Sequence, residues 1–426
     1  MNSARAPIKL AVVGAGSRGA IYANYALDHP DQLEIIGVAE PREFYRNQMV
    51  EAHKIAPENV TSDWHTWLER DKFADGIIIT TPDALHSDPA IALAKHGYHL
   101  LLEKPMSPSE ADCRRIVQAV REAGVMLAVC HVMRYTPYTK LVKKILDSGR
   151  IGEIISVQHL EPVGFWHQAH SFVRGNWHNE ARSSSMLLQK SCHDLDWLSY
   201  IVGKPCTKVS SFGSLSHFKR EFRPEGAADR CLDCSVASAC PYDAKRFYFE
   251  HLEQGLTDWP LNVITTNISE AGILEALRTG DYGRCVYGGC DNDVVDHQVV
   301  NLEFEGGVTA SFTMTAFTKP RDRETRIFGT KAELFGNGNI LEIYDFLTRQ
   351  TETINSDLES DGSILSGHGG GDEGIMQAFV TALLENDPKY ILSGATQTLE
   401  SHLMVFAAEN ARRQNRVMPV EHDQSA

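Results

Sequence analysis

Residues 187–198, LLQKSCHDLDWL, place a lysine, a histidine and an aspartate close together in an apolar stretch. On a helical wheel Lys190, His193, Asp194 and Trp197 share one face, and the leucines share another. A histidine whose pKa is about 6.5 removes a hydroxyl proton at neutral pH, and nearby ammonium groups stabilise the developing alkoxide. The pattern predicts one helix whose polar face deprotonates an alcohol, with Asp194 on the substrate. The alternative is a solvated face with a weak surface ion pair.

A second chemical signal is the segment IKLAVVGAGSRG near the start of the chain. Gly14, Gly16 and Gly19 have G-x-G-x-x-G spacing between an apolar run and a helical pattern. Backbone amides at a helix N-terminus, unobstructed by Cβ atoms, can approach a pyrophosphate. The segment predicts the strand, turn and helix that bind a dinucleotide.

The next apolar run, LEIIGVAE, ends in Glu40. An acidic side chain there accepts hydrogen bonds from an adenosine ribose and repels a 2'-phosphate, so it favours NAD over NADP. Arg18 and Arg42 are the residues that could reverse this preference.

Alternating strand-like and helical patterns over residues 1–135 predict a doubly wound parallel sheet of the Rossmann type. The segment SPSE indicates a helix start capped by Ser107. Ligands of such sheets bind beyond the carboxyl ends of the strands. The alternative for Pro82 and His86 is that they shape a loop. The residues expected at those strand ends are Thr81, Pro82, His86, Glu103 and Lys104.

Residues 136–426 are expected to form an α+β domain, because longer strand-like runs replace the alternation. The segment FEGGVTASFTM predicts a hairpin, and the sheet is expected to be open and mainly antiparallel. Polar groups in FVRGNWHNEARSS suggest a pocket for a polyhydroxylated ligand. The substrate residues expected from this segment are Arg174, Trp177 and His178.

A cysteine-rich insertion is expected over residues 217–290. Cys231, Cys234 and Cys240 have C-x2-C-x5-C spacing, and either Cys285 or Cys290 can complete a set of four thiolates. Such a set predicts a structural zinc ion that holds the insertion folded. Reduced thiols and an iron-sulfur cluster are the alternatives.

Composition limits the partners and the compartment. The chain has 426 residues and a formal net charge of -15, which disfavours nucleic acid. No apolar run reaches the roughly 18 residues of a membrane span, and the first residues lack the pattern of a signal peptide. Nine cysteines do not suggest a disulfide framework in such a chain. We therefore expect a cytoplasmic protein with a small-molecule carbohydrate substrate and no membrane partner.

Five motifs in this order resemble the glucose-fructose oxidoreductase/inositol dehydrogenase (Gfo/Idh/MocA) family. They are GAGSRG, TTPDALH (80–86), EKP (103–105), MRYTPY (133–138) and the lysine-histidine helix. The resemblance implies that Lys104 lies beside the nicotinamide ribose and the substrate hydroxyl, and that the open sheet forms a homodimer or homotetramer. The cofactor-binding residues then expected are Gly14, Gly16, Ser17, Arg18, Gly19, Glu40, Thr81, Pro82, His86, Glu103, Lys104 and Arg134.

One departure affects the catalytic assignment. The family commonly has an aspartate four residues before the histidine, whereas this chain has Gln189 followed by Lys190. It resembles the subgroup with KSCHD, which includes sugar and glycoside dehydrogenases. The expected catalytic residues are Lys104, Lys190 and His193.

The function expected from these residues is NAD-dependent oxidation of a secondary hydroxyl on a sugar, glycoside or cyclic polyol. Some relatives oxidise C3 only transiently to eliminate a glycosidic substituent, so an NAD-dependent glycosidase is the main alternative. A sensor without turnover is the third, although the retained lysines and histidine count against it.

Overall fold

The computed structural model describes residues 6–356 and 368–422. The first sheet has six parallel strands in the order β3-β2-β1-β4-β5-β6. This is the doubly wound arrangement that the alternating pattern predicts. Its strands are β1 (Ile8–Val13), β2 (Leu33–Ala39), β3 (Val60–Thr61), β4 (Gly76–Ile79), β5 (His99–Leu102) and β6 (Leu127–Val129).

The helices of this half are amphipathic and cover the sheet. In α4, Ser109 caps the first turn by accepting a hydrogen bond from the amide of Asp112, and Gly124 ends the helix in a left-handed conformation. The cap is therefore two residues later than the expected Ser107, whose hydroxyl instead accepts from the Ser109 amide. The helices are α1 (Ser17–Asp28), α2 (Glu43–His53), α3 (Ser87–Lys95), α4 (Glu110–Ala123) and α5 (Pro137–Asp147).

The second sheet has nine strands in the order β14-β13-β12-β11-β7-β10-β9-β8-β15. The β7 and β10 strands pair parallel, and the other neighbours pair antiparallel. The expected hairpin is confirmed as β9 and β10. The strands are β7 (Ile154–Pro162), β8 (Cys206–Ser214), β9 (His297–Phe304), β10 (Thr309–Thr315), β11 (Glu324–Gly329), β12 (Ala332–Gly336), β13 (Ile340–Asp345), β14 (Thr351–Asn355) and β15 (Met418–Pro419).

The lysine-histidine segment forms two helices, which corrects the expectation of one. Ser185 caps the first by accepting from the Leu188 amide, and a turn at Lys190 and Ser191 separates the two helices. The second helix is buried on nearly all sides, so Trp197 packs inside and donates to the Thr139 hydroxyl at 2.9 Å. The helices are α6 (Phe165–His167), α7 (Met186–Gln189) and α8 (Cys192–Val202).

The expected insertion over residues 217–290 is mainly helical. It contains α9 (Ala244–Glu253), α10 (Leu261–Ile264) and α11 (Glu270–Thr279). A separate apolar cluster that includes Tyr248, Ile273 and Leu277 forms its core.

Two late helices join the halves of the molecule. Helix α12 (Gly371–Glu385) packs Ile375 and Phe379 into the core on one face of the first sheet. Helix α13 (Ala395–Gln414) packs against α4, α8 and β8. Among the described helices, none is both long and apolar enough to span a bilayer.

Candidate active site

The turn between β1 and α1 has the geometry of a phosphate-binding loop. Gly14 has a φ of +90°, and a Cβ there would lie 2.9 Å from backbone atoms of Thr80. A Cβ at Gly19 would lie 2.2 Å from the carbonyl oxygen of Gly14. The backbone can therefore take this path only with glycine at both positions. Of the predicted residues, Gly14 and Gly16 lie in this turn, and Ser17 and Gly19 lie in the first turn of α1.

Glu40 joins the end of β2 to the glycine turn. Its carboxylate accepts from the Ala15 amide at 2.9 Å and from the Arg42 Nε at 2.8 Å. Burial raises the pKa of Glu40, but hydrogen bonds from Arg42 and Ala15 outweigh burial and hold that pKa below its ordinary value. The residue expected at the ribose is thus an ionised carboxylate paired with the neighbouring arginine.

Two other predicted cofactor residues, Arg18 and Glu103, bind each other. Arg18 Nε donates to Glu103 Oε1 at 2.6 Å, and Arg18 Nη2 donates to Asp372 Oδ1 at 2.6 Å. Tyr22 also donates to Glu103 at 2.9 Å. Asp372 belongs to α12. The network positions the end of β5, where Lys104 follows.

The loop after β4 is held by His86. This side chain is buried, with Nδ1 2.8 Å from the Pro105 carbonyl oxygen and Nε2 2.7 Å from the Thr81 carbonyl oxygen. These contacts tie the loops after β4 and β5 together, as the loop-shaping alternative predicts. Pro82 begins the same turn.

The three predicted catalytic residues lie near the junction of the two halves. Lys104 Nζ donates to the Gln189 carbonyl oxygen at 2.7 Å, so the end of β5 contacts the end of α7. Lys190 is the next residue, and His193 lies in the first turn of α8. Lys104 and Gln189 are 85 residues apart in the sequence, and this hydrogen bond brings them into contact.

Lys190 lies in a cluster of buried charges that the sequence did not indicate. Its Nζ lies 3.2 Å from Glu161 Oε1, and Arg323 Nε lies 2.9 Å from Glu161 Oε2. Burial lowers the pKa of Lys190, although Glu161 acts in the opposite direction. Glu161 is the penultimate residue of β7, and Arg323 lies in the loop before β11.

Asp194 belongs to the inner side of this cluster, which corrects its assignment to the substrate. Its side chain is fully buried, and it is bound by Arg323 and by His159 Nε2 at 3.0 Å. Burial opposes ionisation, but these two partners hold the pKa of Asp194 well below its ordinary value. Asp194 thus positions Arg323 through an ion pair.

A second buried group lies behind His193. The His131 ring is 5.6 Å from the His193 ring in an edge-to-face arrangement. Burial lowers the pKa of His131 to about 4, so this ring is neutral at physiological pH. His131 Nδ1 lies 3.7 Å from Asp196 Oδ2.

Arg134 is held in a buried ion pair within the protein, whereas the family resemblance implies that it binds the cofactor. Its guanidinium is buried against Asp196, at 2.7 Å and 2.8 Å, and donates to the Leu392 carbonyl oxygen at 2.6 Å. The ring of Tyr200 lies beside it. Arg134 therefore anchors α8 to the end of the first sheet.

The predicted substrate residues of the 174–178 segment also hold protein structure. Arg174 donates to the carbonyl oxygens of Arg284 and Tyr242 in the insertion. His178 contacts the Gly175 carbonyl oxygen and lies 3.0 Å from Asp291. Trp177 packs against Phe172. These contacts anchor the loop, and a substrate role for the three residues stays a prediction.

An aromatic group beside the lysines was not predicted from the sequence. His167 in α6 is partly exposed, and its pKa is lowered by burial and by the charges of Lys190 and Lys104. The ring of Trp259, from the insertion, lies 5.0 Å from the His167 ring and 5.3 Å from the Trp166 ring. We call Trp166, His167 and Trp259 the aromatic wall. A run of aromatic letters in FWHQAH was the one sequence signal for it.

The zinc prediction is not supported. Over residues 6–356 and 368–422, no three histidine, cysteine, aspartate or glutamate side chains gather closely enough to hold a metal ion. Cys290 Sγ is directed to the Cys285 carbonyl oxygen at 3.7 Å. Four other cysteines line a common cavity, together with Arg174: Cys231, Cys234, Cys240 and Cys285.

The glycine turn, the carboxylate at the end of β2 and the lysine-histidine group at the junction define a two-domain dinucleotide-binding protein. Comparison with protein families gives the same class. Residues 8–131 match the model described as "Oxidoreductase family, NAD-binding Rossmann fold", and residues 143–421 match "Oxidoreductase family, C-terminal alpha/beta domain". The chain belongs to this Gfo/Idh/MocA family, so the family and fold expected from the sequence are confirmed.

Curated relatives match about half of the chain. A 2,7-anhydro-N-acetylneuraminate hydratase of Escherichia coli (strain K12) is 32% identical over 211 residues, covering 49% of this chain and 54% of the relative. A scyllo-inositol 2-dehydrogenase (NAD(+)) of Bacillus subtilis (strain 168) is 26% identical, covering 49% of this chain and 58% of the relative. The chain thus spans about half the length of these relatives.

Solved structures match over nearly the full length. A levoglucosan dehydrogenase in complex with NADH has a TM-score of 0.72 at 18% identity and covers 98% of this chain and 100% of that one. At this identity the likeness establishes the fold.

Proposed function

We propose that the chain is an NAD-dependent oxidoreductase that takes a hydride from a secondary hydroxyl of a sugar, glycoside or cyclic polyol. The observation that carries this proposal is the hydrogen bond from Lys104 to the Gln189 carbonyl oxygen. It holds one ammonium group from the first domain beside the second lysine and the histidine of the other domain. Alcohol oxidation needs this combination of a base and cationic groups around one hydroxyl.

NAD fits the residues at the glycine turn. Gly14 and Gly19 leave backbone space for a pyrophosphate, and the ionised Glu40 can accept ribose hydrogen bonds. When bound, NAD supplies the hydride acceptor. A 2'-phosphate would meet the Glu40 carboxylate, and Arg42 is already paired with that carboxylate. We therefore favour NAD over NADP, which a comparison of kcat/KM for the two coenzymes tests.

Three side chains share the removal of the hydroxyl proton and the stabilisation of the charge that it leaves. His193 removes the hydroxyl proton, and Lys104 and Lys190 stabilise the negative charge on the oxygen until the carbonyl forms. The lowered pKa of Lys190 lets it share the proton. His131 supports the His193 ring from behind and, being neutral, adds no competing positive charge.

The aromatic wall favours a glycoside. Trp259 is 40% exposed although its ring contacts His167 and Trp166. Exposed indole faces offer an apolar surface with a polar edge, which suits the CH-rich faces of sugar rings and aglycones. The wall lies beside the lysines, where the part of a glycoside next to the oxidised ring would extend.

The second candidate is a glycosidase in which oxidation at C3 is transient. It is favoured by the relative named as a hydratase, because hydration involves no net oxidation of the substrate. One assay separates the two functions. The protein is incubated with NAD and aryl glycosides; NADH accumulates if the enzyme is a dehydrogenase, and aglycone is released without net NAD reduction if it is a glycosidase.

We further propose a homo-oligomer built on the open face of the second sheet. Phe212, Val299, Thr313 and Leu160 lie in one row across four adjacent strands, and Phe212 is 61% exposed. An apolar row of this kind on an open sheet suits a second copy of the chain. Light scattering should give the mass of a dimer or tetramer, and Phe212→Glu should reduce the mass of the particle.

The nine free cysteines fit a reducing, cytoplasmic compartment.

A further inference from the structure

The His86 ring contacts two backbone carbonyl groups at once. It is 0% exposed, with Nδ1 2.8 Å from the Pro105 carbonyl oxygen and Nε2 2.7 Å from the Thr81 carbonyl oxygen. A carbonyl oxygen only accepts hydrogen bonds, and a neutral imidazole carries a single N–H group. The other nitrogen of a neutral ring would therefore turn its lone pair toward a carbonyl lone pair at hydrogen-bond distance. An imidazolium, which has two N–H groups, satisfies both contacts.

A buried cation is costly without a counter-charge. Asp83 lies in the same loop as His86, and its carboxyl group is buried. Burial raises the pKa of Asp83, and the charges of His86 and Lys104 oppose this rise. Glu103 also acts on Asp83, but that carboxylate is already paired with Arg18. Asp83 is therefore the carboxylate available to balance a positive charge on His86.

The loop that carries His86 also reaches the second domain. The Gln189 Nε2 donates to Asp83 Oδ2 at 3.3 Å, and the Gln189 carbonyl oxygen accepts from Lys104 Nζ at 2.7 Å. Lys104 is thus held at both of its ends. His86 binds the backbone beside it, at Pro105, and Gln189 binds its ammonium group. These contacts close a ring across the junction of the two domains.

We propose that His86 is a buried imidazolium that positions Lys104 for hydride transfer, with Asp83 as its counter-charge. The inference rests on the proposed function, in which Lys104 stabilises the developing alkoxide. Both N–H groups are needed, because the Thr81 carbonyl follows β4 and the Pro105 carbonyl follows β5. A ring with one N–H group would leave one of these loops unbound. A displacement of about 1 Å in a positioned group can cost about 100-fold in rate.

Neutron diffraction tests the protonation of His86 directly. Crystals of the full chain are exchanged into heavy water at neutral pD. We expect a deuteron on Nδ1 and another on Nε2. A deuteron on only one of the two nitrogens overturns the proposal. The measurement needs no turnover, so its result does not depend on whether the chain oxidises a sugar.

A double-mutant cycle tests whether His86 acts through Lys104. His86→Gln replaces two opposed N–H groups with one amide nitrogen, and it should lower kcat by about 10- to 100-fold with little change in KM for the sugar. In a Lys104→Met background the same substitution should change kcat by less than about 2-fold. An equal loss in both backgrounds would indicate a merely structural role and overturn the proposal.

The matched control is His96→Gln. His96 follows the last residue of α3, and its Nε2 lies 3.0 Å from a single carbonyl oxygen, that of Arg70. This variant should retain the wild-type kcat. Circular dichroism and urea unfolding accompany every variant, so that a loss of rate is not confused with unfolding.

A crystal structure of His86→Gln provides a readout that needs no activity. The Lys104 Nζ should be displaced from the Gln189 carbonyl oxygen, and an unchanged position would overturn the positioning role. If His86→Gln is too unstable to purify, Asp83→Asn replaces it in the crystal and in the cycle, because asparagine keeps an acceptor for Gln189 but removes the counter-charge. Absence of turnover on every sugar would refute the proposed function, whereas the neutron map and the position of Lys104 would still decide this inference.

Discussion

Replacing Glu161 by glutamine removes the carboxylate that lies between Lys190 and Arg323. Glu161 is 3.2 Å from the Lys190 Nζ and raises the pKa of that lysine, against burial and the charge of Arg323. The glutamine keeps the shape but leaves two cations facing each other. We therefore expect the pKa of Lys190 to fall further in Glu161→Gln.

The size of the change follows from the interaction lost. A hydrogen bond to a charged group contributes about 1.5–3 kcal/mol, and one pKa unit corresponds to about 1.4 kcal/mol. Glu161 is nearly buried, but the Lys190 side chain keeps 20% of its surface exposed, so solvent screens part of the interaction. The expected shift is about 1 to 2 pH units downward.

The assay is the pH profile of kcat/KM with saturating NAD, which reports the groups of the enzyme before the variable substrate binds. If the Lys190 ammonium must be charged for catalysis, the alkaline limb moves to lower pH in Glu161→Gln. The control is the same substitution in a Lys190→Met background, where no such shift should remain. An alkaline limb that stays in place, or that moves equally in both backgrounds, would refute the role given to Lys190.

Three further predictions test other parts of the site. Lys104→Met should lower kcat by at least about 100-fold through loss of alkoxide stabilisation while the Kd for NADH, from fluorescence titration, changes little; a large loss of NADH binding would contradict this division of roles. Arg134→Met should destabilise the fold by about 3–5 kcal/mol in urea unfolding, because it leaves the buried Asp196 without its ion pair; an unchanged midpoint with weakened NADH binding would support its assignment to the cofactor. Trp259→Ala should raise KM for aryl glycosides several-fold and leave KM for the free sugar nearly unchanged, whereas an equal effect on both would remove the wall from substrate recognition.

The fold was predictable because its signals are local. The glycine spacing, the alternation of strands and helices and the hairpin pattern each depend on residues close together in the chain, and each is confirmed. The break between α7 and α8 was not predictable in this way. A helical wheel assumes a continuous helix, and it placed Trp197 on one polar face with Lys190 and His193, whereas the structure buries the Trp197 ring.

Residues of the site could be predicted only where a sequence motif contained them. The structure places Lys104 against the end of α7, next to the segment that contains Lys190 and His193, and the catalytic roles of the three residues stay predictions. The ion pairs of Asp194 and Arg134 were not predicted, because their partners lie far along the chain, at separations of 129 and 62 residues. From the sequence alone, a charged motif residue that binds a ligand cannot be distinguished from one that completes a buried ion pair.

Helix α12 has a consequence for how the chain is made. Synthesis completes the six parallel strands some 240 residues before this helix leaves the ribosome, yet the helix covers their apolar face and its Asp372 binds Arg18. The nascent first domain must therefore wait, partly uncovered, for most of the second to be translated. Fragments cut near the domain boundary should aggregate and depend on chaperones. A separately supplied α12 peptide should restore their solubility.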